Sequence, residues 1–246
     1  MIRALLISII VTFCGDTFSQ PCRNSFIPGE KLKFIIYYGI IDAGIVEAEL
    51  NFTEYANFNA YHGKMLARTV GLADKLYKVR DEYQSYFNPQ TLLPYKSVRD
   101  ISEGRYKKYH VDTFNHGNGK VTTLKGEEFP IPPEARDMVS VFFYIRNIDF
   151  RDLNEGDIIK IVTFFDDEIF PFDMRYRGIE DIKTRMGTFN CIKLVPFVEP
   201  GRIFNNEDDM TIWLSNDPNR VPVRVRFDLK VGSMKCDLIE YSGLKY

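Results

Sequence analysis

Apolar and polar positions alternate along most of this chain, and glycines, prolines and short polar clusters cut the alternation into segments. Glu30 to Tyr38 holds a β-branched and aromatic run, Gly39 breaks it, and Ile40 to Phe52 resumes. Gly44 inside the second run marks a bulge or a close backbone approach. The same reading predicts strands over Tyr61 to Val70, Val79 to Phe87, Leu92 to Ile101, Tyr106 to Phe114 and Val121 to Leu124. A helical turn is expected over Leu72 to Tyr77. The stiff stretch Phe129-Pro130-Ile131-Pro132-Pro133 cannot donate a full ladder. After it, Asp137 caps a helix from Met138 to about Arg146, apolar on most sides and therefore buried. Strands then return over Ile158 to Phe165, Ile169 to Tyr176, Thr188 to Val195, Met210 to Leu214, Val221 to Leu229 and Met234 to Tyr241. A turn falls at Asp166-Asp167, and Ser215 to Arg220 forms a hairpin loop around Asp217-Pro218, where Pro fixes φ and Asp bonds its local backbone.

About a dozen short strands at regular spacing predict a mainly β fold. The expected form is a large curved antiparallel sheet, or a partly open barrel, with one central packed helix and a second short one. The 246 residues allow one generous domain or two small ones at about 150 residues each. The proline-rich stretch could divide two, but its composition is not that of a linker. One β-rich domain over residues 20–246 is expected, behind a leader at 1–19.

That leader follows from Arg3 and the mostly apolar run Ala4 to Phe13, too short to span a bilayer but right for a signal segment. Thr17 and Ser19 suit a cut that leaves Gln20 first; a buried strand is the bland alternative. Phe13 before Cys14 is too bulky for lipid attachment there. An exported, periplasmic setting in a bacterium follows, with no membrane span in the mature chain. Cys22, Cys191 and Cys236 then remain, an odd number that leaves at least one thiol unpaired. Cys191 and Cys236 could equally be bridged or be buried free thiols.

Composition narrows the chemistry. Thirty-two Lys+Arg against thirty-four Asp+Glu give a net charge of -2, so nucleic acid is not an expected partner. Twenty Phe and fourteen Tyr are too much apolar surface for disorder. His62, His110 and His116 are scattered, with no His-Glu-x-x-His helix and no Gly-x-Ser-x-Gly elbow. The acidic clusters at Asp166, Asp167, Glu168 and at Glu207, Asp208, Asp209 lack a calcium-loop pattern. Gly117-Asn118-Gly119-Lys120 reads as a tight hairpin rather than a phosphate loop, and Asn51-Phe52-Thr53 has only the spacing of a glycosylation acceptor. No cofactor, metal or catalytic residue is expected.

The order of punctuation carries a resemblance. Gly29-Glu30, Tyr38-Gly39 and Ala43-Gly44 are followed by Asp137-Met138-Val139-Ser140, Phe142-Phe143-Tyr144 and Arg146. Gly156-Asp157, Gly187-Thr188-Phe189 and Pro196 come next, then Ile212 to Asp217, Arg220-Val221-Pro222-Val223 and Gly232-Ser233. In this order the chain resembles the bacterial exported family catalogued as domain of unknown function 3108, over roughly Pro28 to Leu238. The resemblance implies an exported β-rich domain with no catalytic mechanism to carry over. Its recurrent residues would be structural: turns, a helix cap, a buried Arg and a Trp-bearing hairpin.

Three functional readings follow. The first is a non-catalytic envelope protein that binds an apolar or lipid-like ligand on a concave aromatic face, with Phe164, Phe170, Phe172, Tyr176, Trp213 and Phe227 as lining. Arg146 would either clamp a ligand carboxylate or pair with Asp137 or Asp157. The second is a structural or protein-interaction module of the envelope, which predicts an exposed apolar patch or an unpaired strand edge. The third is a hydrolase or isomerase, which predicts a polar cleft where titratable groups converge with shifted pKa values.

Overall fold

The computed structural model describes residues 24–198, 206 and 208–246. The leader, Cys14 and Cys22 lie outside the described residues, as does Glu207. Sixteen strands follow one another among the described residues. They are β1 (Lys31–Tyr38), β2 (Ile41–Tyr55), β3 (Phe58–Thr69), β4 (Arg80–Phe87), β5 (Pro94–Glu103), β6 (Tyr106–Asn115), β7 (Lys120–Thr123) and β8 (Glu128–Pro130). After the helix come β9 (Ile158–Ile159), β10 (Val162–Phe165), β11 (Glu168–Pro171), β12 (Met174–Thr184), β13 (Gly187–Pro196), β14 (Met210–Ser215), β15 (Pro222–Asp228) and β16 (Ser233–Ser242). Fourteen of them form one antiparallel sheet in the order β8-β7-β6-β5-β4-β3-β2-β1-β16-β15-β14-β13-β12-β9. Strands β10 and β11 make a separate hairpin.

Most neighbours in the sheet are neighbours in sequence, because short turns join antiparallel strands directly. The exception at its centre is β1 against β16, with Lys31 opposite Ser242 and Tyr38 opposite Met234. The two edges are blunt. Strand β8 has three residues and ends in Pro130, and β9 has two. Such edges offer little ladder to another chain.

A short helix, α1 (Gly71–Leu76), joins β3 to β4. The second, α2 (Met138–Tyr144), runs on as a 3₁₀ turn over Ile145–Asn147. Asp137 caps α2 as expected: its Oδ1 accepts the Val139 and Ser140 amides, both at 2.8 Å, and the Ser140 hydroxyl accepts the Asp137 amide. The helix is apolar around its girth because the sheet curls about it. Val139 and Phe143, one turn apart, pack on Leu50 and Phe87 of β2 and β4. Val141 and Ile145 pack on the opposite wall, against Met174, Tyr176, Ile192, Leu194, Ile212 and Leu214 of β12 to β14. Phe142 meets Leu32, Phe34 and Leu238 at the central β1/β16 seam. Gly63 on β3 makes room for this helix: a Cβ there would lie 2.9 Å from both Phe143 and Val139.

Two expected strands are each two strands. The run from Ile158 to Phe165 breaks after Ile159, and the run from Ile169 to Tyr176 breaks after Pro171. Ile161 is buried at the corner between them, where its amide bonds to the Asp173 side chain. Apolar residues continue through the corner, so the hydrophobic pattern does not register it. Gly44 stands where the β1/β2 register shifts, 3.0 Å in Cβ terms from the Arg68 carbonyl, so a close approach does occur there.

The β12/β13 hairpin bends at an irregularity between Tyr176 and Ile179 and lies across the outer face of the sheet. Ile182 and Phe189 on it cover Trp213 and Val223, forming a second small core with Cys191. Its tip reaches β1 and β2, where Arg185 pairs with Asp42 and lies over the Tyr37 ring. Beneath it, buried Asp237 accepts from Tyr37 and Arg224.

Candidate functional site

The expected aromatic lining is divided among separate clusters. Phe164 packs on Phe114 and Phe129 under the β10/β11 hairpin, and Phe170 sits half-buried on the other strand of that hairpin. Tyr176 lies in the wall against α2, with Phe172 beside it. Trp213 belongs to the outer core, where its indole donates to Glu180 at 2.7 Å. Phe227 is half-buried between Met210 and Met234. The concave side of the sheet is occupied by α2, so only Tyr176 and Phe172 come together there.

Arg146 pairs with neither Asp137 nor Asp157. Fully buried, it donates to both oxygens of Glu30, at 2.5 and 2.8 Å, and to the Asn219 carbonyl at 2.9 Å. Its remaining faces lie near the rings of Phe26 and Phe143. Every direction is taken, so the guanidinium is a structural clamp. It ties the start of β1, the end of α2 and the β14/β15 loop together; breaking such a pair costs about 3–5 kcal/mol. Sequence offered Asp137 and Asp157, both close along the chain, whereas the partner lies at the entry to the first strand.

A polar seam that sequence reading missed lines the inner face of β4 to β6. Alternation puts Ser85, Ser97, Arg99, Lys108, His110 and Asp112 on that face. The β10/β11 hairpin lies over it. Asp166 and Asp167 form its turn with φ of 55° and 72°, the left-handed pair that a two-residue turn requires. Asp166 pairs with Lys108 and with Arg99 at 3.3 Å, and Lys108 holds its carboxyl below the usual range. His110 stands 2.7 Å from Asp112 and 3.4 Å from Asp167. Burial pushes Asp112 up. Asp137, where Ser85 donates to it at 2.5 Å, is pushed up to about 6 by burial, against the donors that favour its charge.

This seam has shifted titratable groups, as an enzyme site would. The concavity it lines measures about 10 Å³, which leaves no room for a substrate. One atom each from His110, Asp112 and Asp167 lies within 4.8 Å of the others, close enough for one metal ion to bridge. Asp166 already faces Lys108 and Arg99, Asp112 and Asp167 face His110, and the positive charges of Lys108 and Arg99 beneath the hairpin turn oppose a cation there. The arrangement suits an ion-paired seam that seats the hairpin.

Larger concavities open on the outside. One of 320 Å³ is lined by Lys33, Glu47, Lys64, Leu66 and Glu240; another of 520 Å³ by Arg68, Arg80, Glu82, Asp100 and Lys107. Both are charged with both signs, and Lys33–Glu47 and Lys64–Glu82 are already paired.

Apolar exposure is concentrated elsewhere. Ile40 is 97% exposed, Leu76 78% and Val231 77%, more than any other large apolar side chain described. All three sit at one end of the sheet. Ile40 is in the β1/β2 turn, Val231 in the β15/β16 turn and Leu76 ends α1. The turns touch: Tyr38 donates to the Val231 carbonyl at 2.7 Å, and the Val70 amide to Ala43 at 2.9 Å. The Gly104 amide of the β5/β6 turn bonds to Lys78, just beyond α1, at 2.8 Å. Ile41, Leu72, Tyr77 and Tyr106 on the same rim are more than half exposed.

The family model described as "Protein of unknown function (DUF3108)" matches residues 33–239. The chain belongs to the DUF3108 family. Several solved structures resemble this DUF3108 member. A β-barrel-like protein of domain of unknown function 1849 from Brucella abortus is 8% identical, with a TM-score of 0.56 over 88% of this chain and 98% of that one. It shows the fold alone. A proposed lipoprotein from Parabacteroides distasonis has a TM-score of 0.40 and 13% identity over 91% and 100% of the two chains. A proposed exported protein with a YmcC-like fold from Bacteroides fragilis has a TM-score of 0.39 and 11% identity over 89% and 99%. No curated protein matches the DUF3108 chain. No described helix is long and apolar enough to cross a membrane.

Proposed function

We propose that this protein is a non-catalytic module of the bacterial cell envelope, exported behind its leader, that works by docking through the rim formed by the β1/β2 turn, the β15/β16 turn and α1. The observation that carries this reading is the gathering of Ile40, Leu76 and Val231 on one rim, at 97%, 78% and 77% exposure. Hairpin turns are ordinarily polar, and isolated exposed apolar residues need no explanation, but several gathered on one rim do. Two further features favour docking over enclosure. Helix α2 fills the concave side of the sheet, and the polar seam has no space for a substrate. The blunt edges β8 and β9 make strand addition a poor alternative.

The test is fractionation of cells that express the chain with Ile40→Asp, Leu76→Asp and Val231→Asp together. The wild-type protein is expected in the envelope fraction and the triple variant in the soluble exported fraction, with circular dichroism unchanged. Equal partition of the two would refute the reading.

A further inference from the structure

The charges on this rim are arranged in one sense, and they indicate what it meets. Two of its carboxylates are engaged, while Glu103 at the end of β5 faces no cation among the described residues and is held above its usual range by burial and by Asp81. Asp42 is paired with Arg185, and Asp74 with Arg80 at 2.7 Å. Arg80 and Thr69 hold the Asp74 carboxyl down at about 2, so its charge persists but is spent locally. Three exposed cations have no such counterpart. Lys75 lies one residue before Leu76, Lys230 one residue before Val231, and Arg105 one residue before Tyr106. None of the three has a carboxylate within ion-pair distance among the described residues. Leu76, Tyr106 and Val231 therefore each carry an unpaired positive charge next to them in sequence, whereas Ile40 stands between Gly39 and Ile41. The pattern recurs on three separate turns, along an edge about eight strands wide, or roughly 34 Å at the usual strand spacing.

We propose that the rim docks onto an anionic lipid bilayer. The Ile, Leu and Val tips enter the region between headgroups and acyl chains, Tyr77 and Tyr106 lie at headgroup depth, and Lys75, Arg105 and Lys230 bind lipid phosphates. The inference rests on the rim reading above and names its partner. A protein partner with an apolar groove would satisfy the Ile, Leu and Val side chains. It would leave unexplained why unpaired cations adjoin Leu76, Tyr106 and Val231 while Asp42 and Asp74 are consumed internally. A bilayer explains both, because each Lys or Arg near an anionic surface gains free energy that a neutral surface does not supply. It also explains the turn placement. Tips at the ends of strands reach into a plane together, whereas the body of the sheet stays in water with its charge-paired outer face.

The experiment is co-sedimentation of the processed chain with vesicles of phosphatidylethanolamine and phosphatidylglycerol, against vesicles of phosphatidylcholine alone, across a salt series. Wild type is expected to bind the anionic vesicles, with affinity that falls as salt rises. Lys75→Gln, Arg105→Gln and Lys230→Gln together should weaken that binding about a hundredfold, at about fivefold per cation, and flatten its salt dependence. Ile40→Ser, Leu76→Ser and Val231→Ser together should weaken binding to both vesicles by more than tenfold. Phe58→Ser, at a site 60% exposed on the opposite rim, should leave binding unchanged. All these positions are exposed, so folding is preserved and is checked by thermal melting. Anionic vesicles bound no better than neutral ones, or rim variants that bind like wild type, would overturn the bilayer as partner. If vesicles fail while the Asp triple variant still leaves the envelope fraction, the rim reading stands with a protein partner. If that variant also partitions like wild type, both readings fall.

Discussion

Asp137 does two jobs whose demands conflict. As the cap of α2 it accepts the Val139 and Ser140 amides, and as a fully buried carboxyl it resists carrying the charge that makes it a good acceptor. Burial wins and places its folded pKa at about 6, above the roughly 3.9 of an unfolded Asp. A group raised on folding binds its proton more tightly in the native state. Its stabilising contribution is complete below about pH 4 and is lost as pH rises through about 6, on the order of 3 kcal/mol in all. Asp137→Asn keeps an oxygen for the two amides and supplies an NH₂ to the Ser85 hydroxyl, without the charge. Relative to wild type, the variant should match it near pH 4 and gain stability by pH 8, read from denaturant midpoints at several pH values. Parallel pH profiles for the two proteins would sink this account. The cap itself was legible in the sequence, from Asp137 ahead of an apolar run. The proton affinity was not, because Ser85 and the walls that bury the carboxyl come from distant strands. Glu30 was hidden from sequence in the same way: Arg146 announced a buried cation, but 116 positions separate the two.

Helix α2 is held between two walls, and Gly63 is where β3 yields space to it. Gly63→Ala places a methyl 2.9 Å from Phe143 and Val139, neither of which has anywhere to move. We expect a loss of about 1–3 kcal/mol in urea unfolding. Gly117→Ala, whose added Cβ meets only the Asn115 side chain at 3.5 Å, should be close to neutral. A Gly63→Ala variant as stable as wild type would mean that α2 sits further from β3. Elements of this kind were the most readable level of the fold. Most of the long strands begin and end within a few residues of the expected limits, since period-2 alternation and turn residues are local signals. The failures are also physical. Alternation reports burial and says nothing of direction, so the bend that carries the β12/β13 hairpin across the outer face was marked only by Gly178, at φ 77° inside the irregularity. The same limit joined β9 to β10 through Ile161. Ile40 was read as strand because it is apolar, and it is the most exposed large apolar side chain described. An apolar residue directly after the turn glycine Gly39 was the available signal for the rim.

The sheet as a whole is two meanders joined at one seam. From β2 to β8 and from β9 to β15 nearly every strand can pair soon after its neighbour is made, apart from the excursions through α2 and the β10/β11 hairpin. The join between β1 and β16 closes a loop of about two hundred residues, from Lys31 to Ser242, and no local pattern encodes it. Truncation after Gly232, which removes β16, should therefore abolish the single cooperative transition rather than lower its midpoint. Two weak transitions or none are expected by urea unfolding; one transition of native steepness would show the halves holding together through α2 alone. This wiring bears on when the fold can close during synthesis. Strand β1 is made about two hundred residues before β16. Until that ten-residue strand is made, β1 lacks one neighbour, and Asp237, which completes the Tyr37 and Arg224 network, is not yet present. A growing chain therefore carries its central strand half-paired while nearly all of the sheet around it is being laid down.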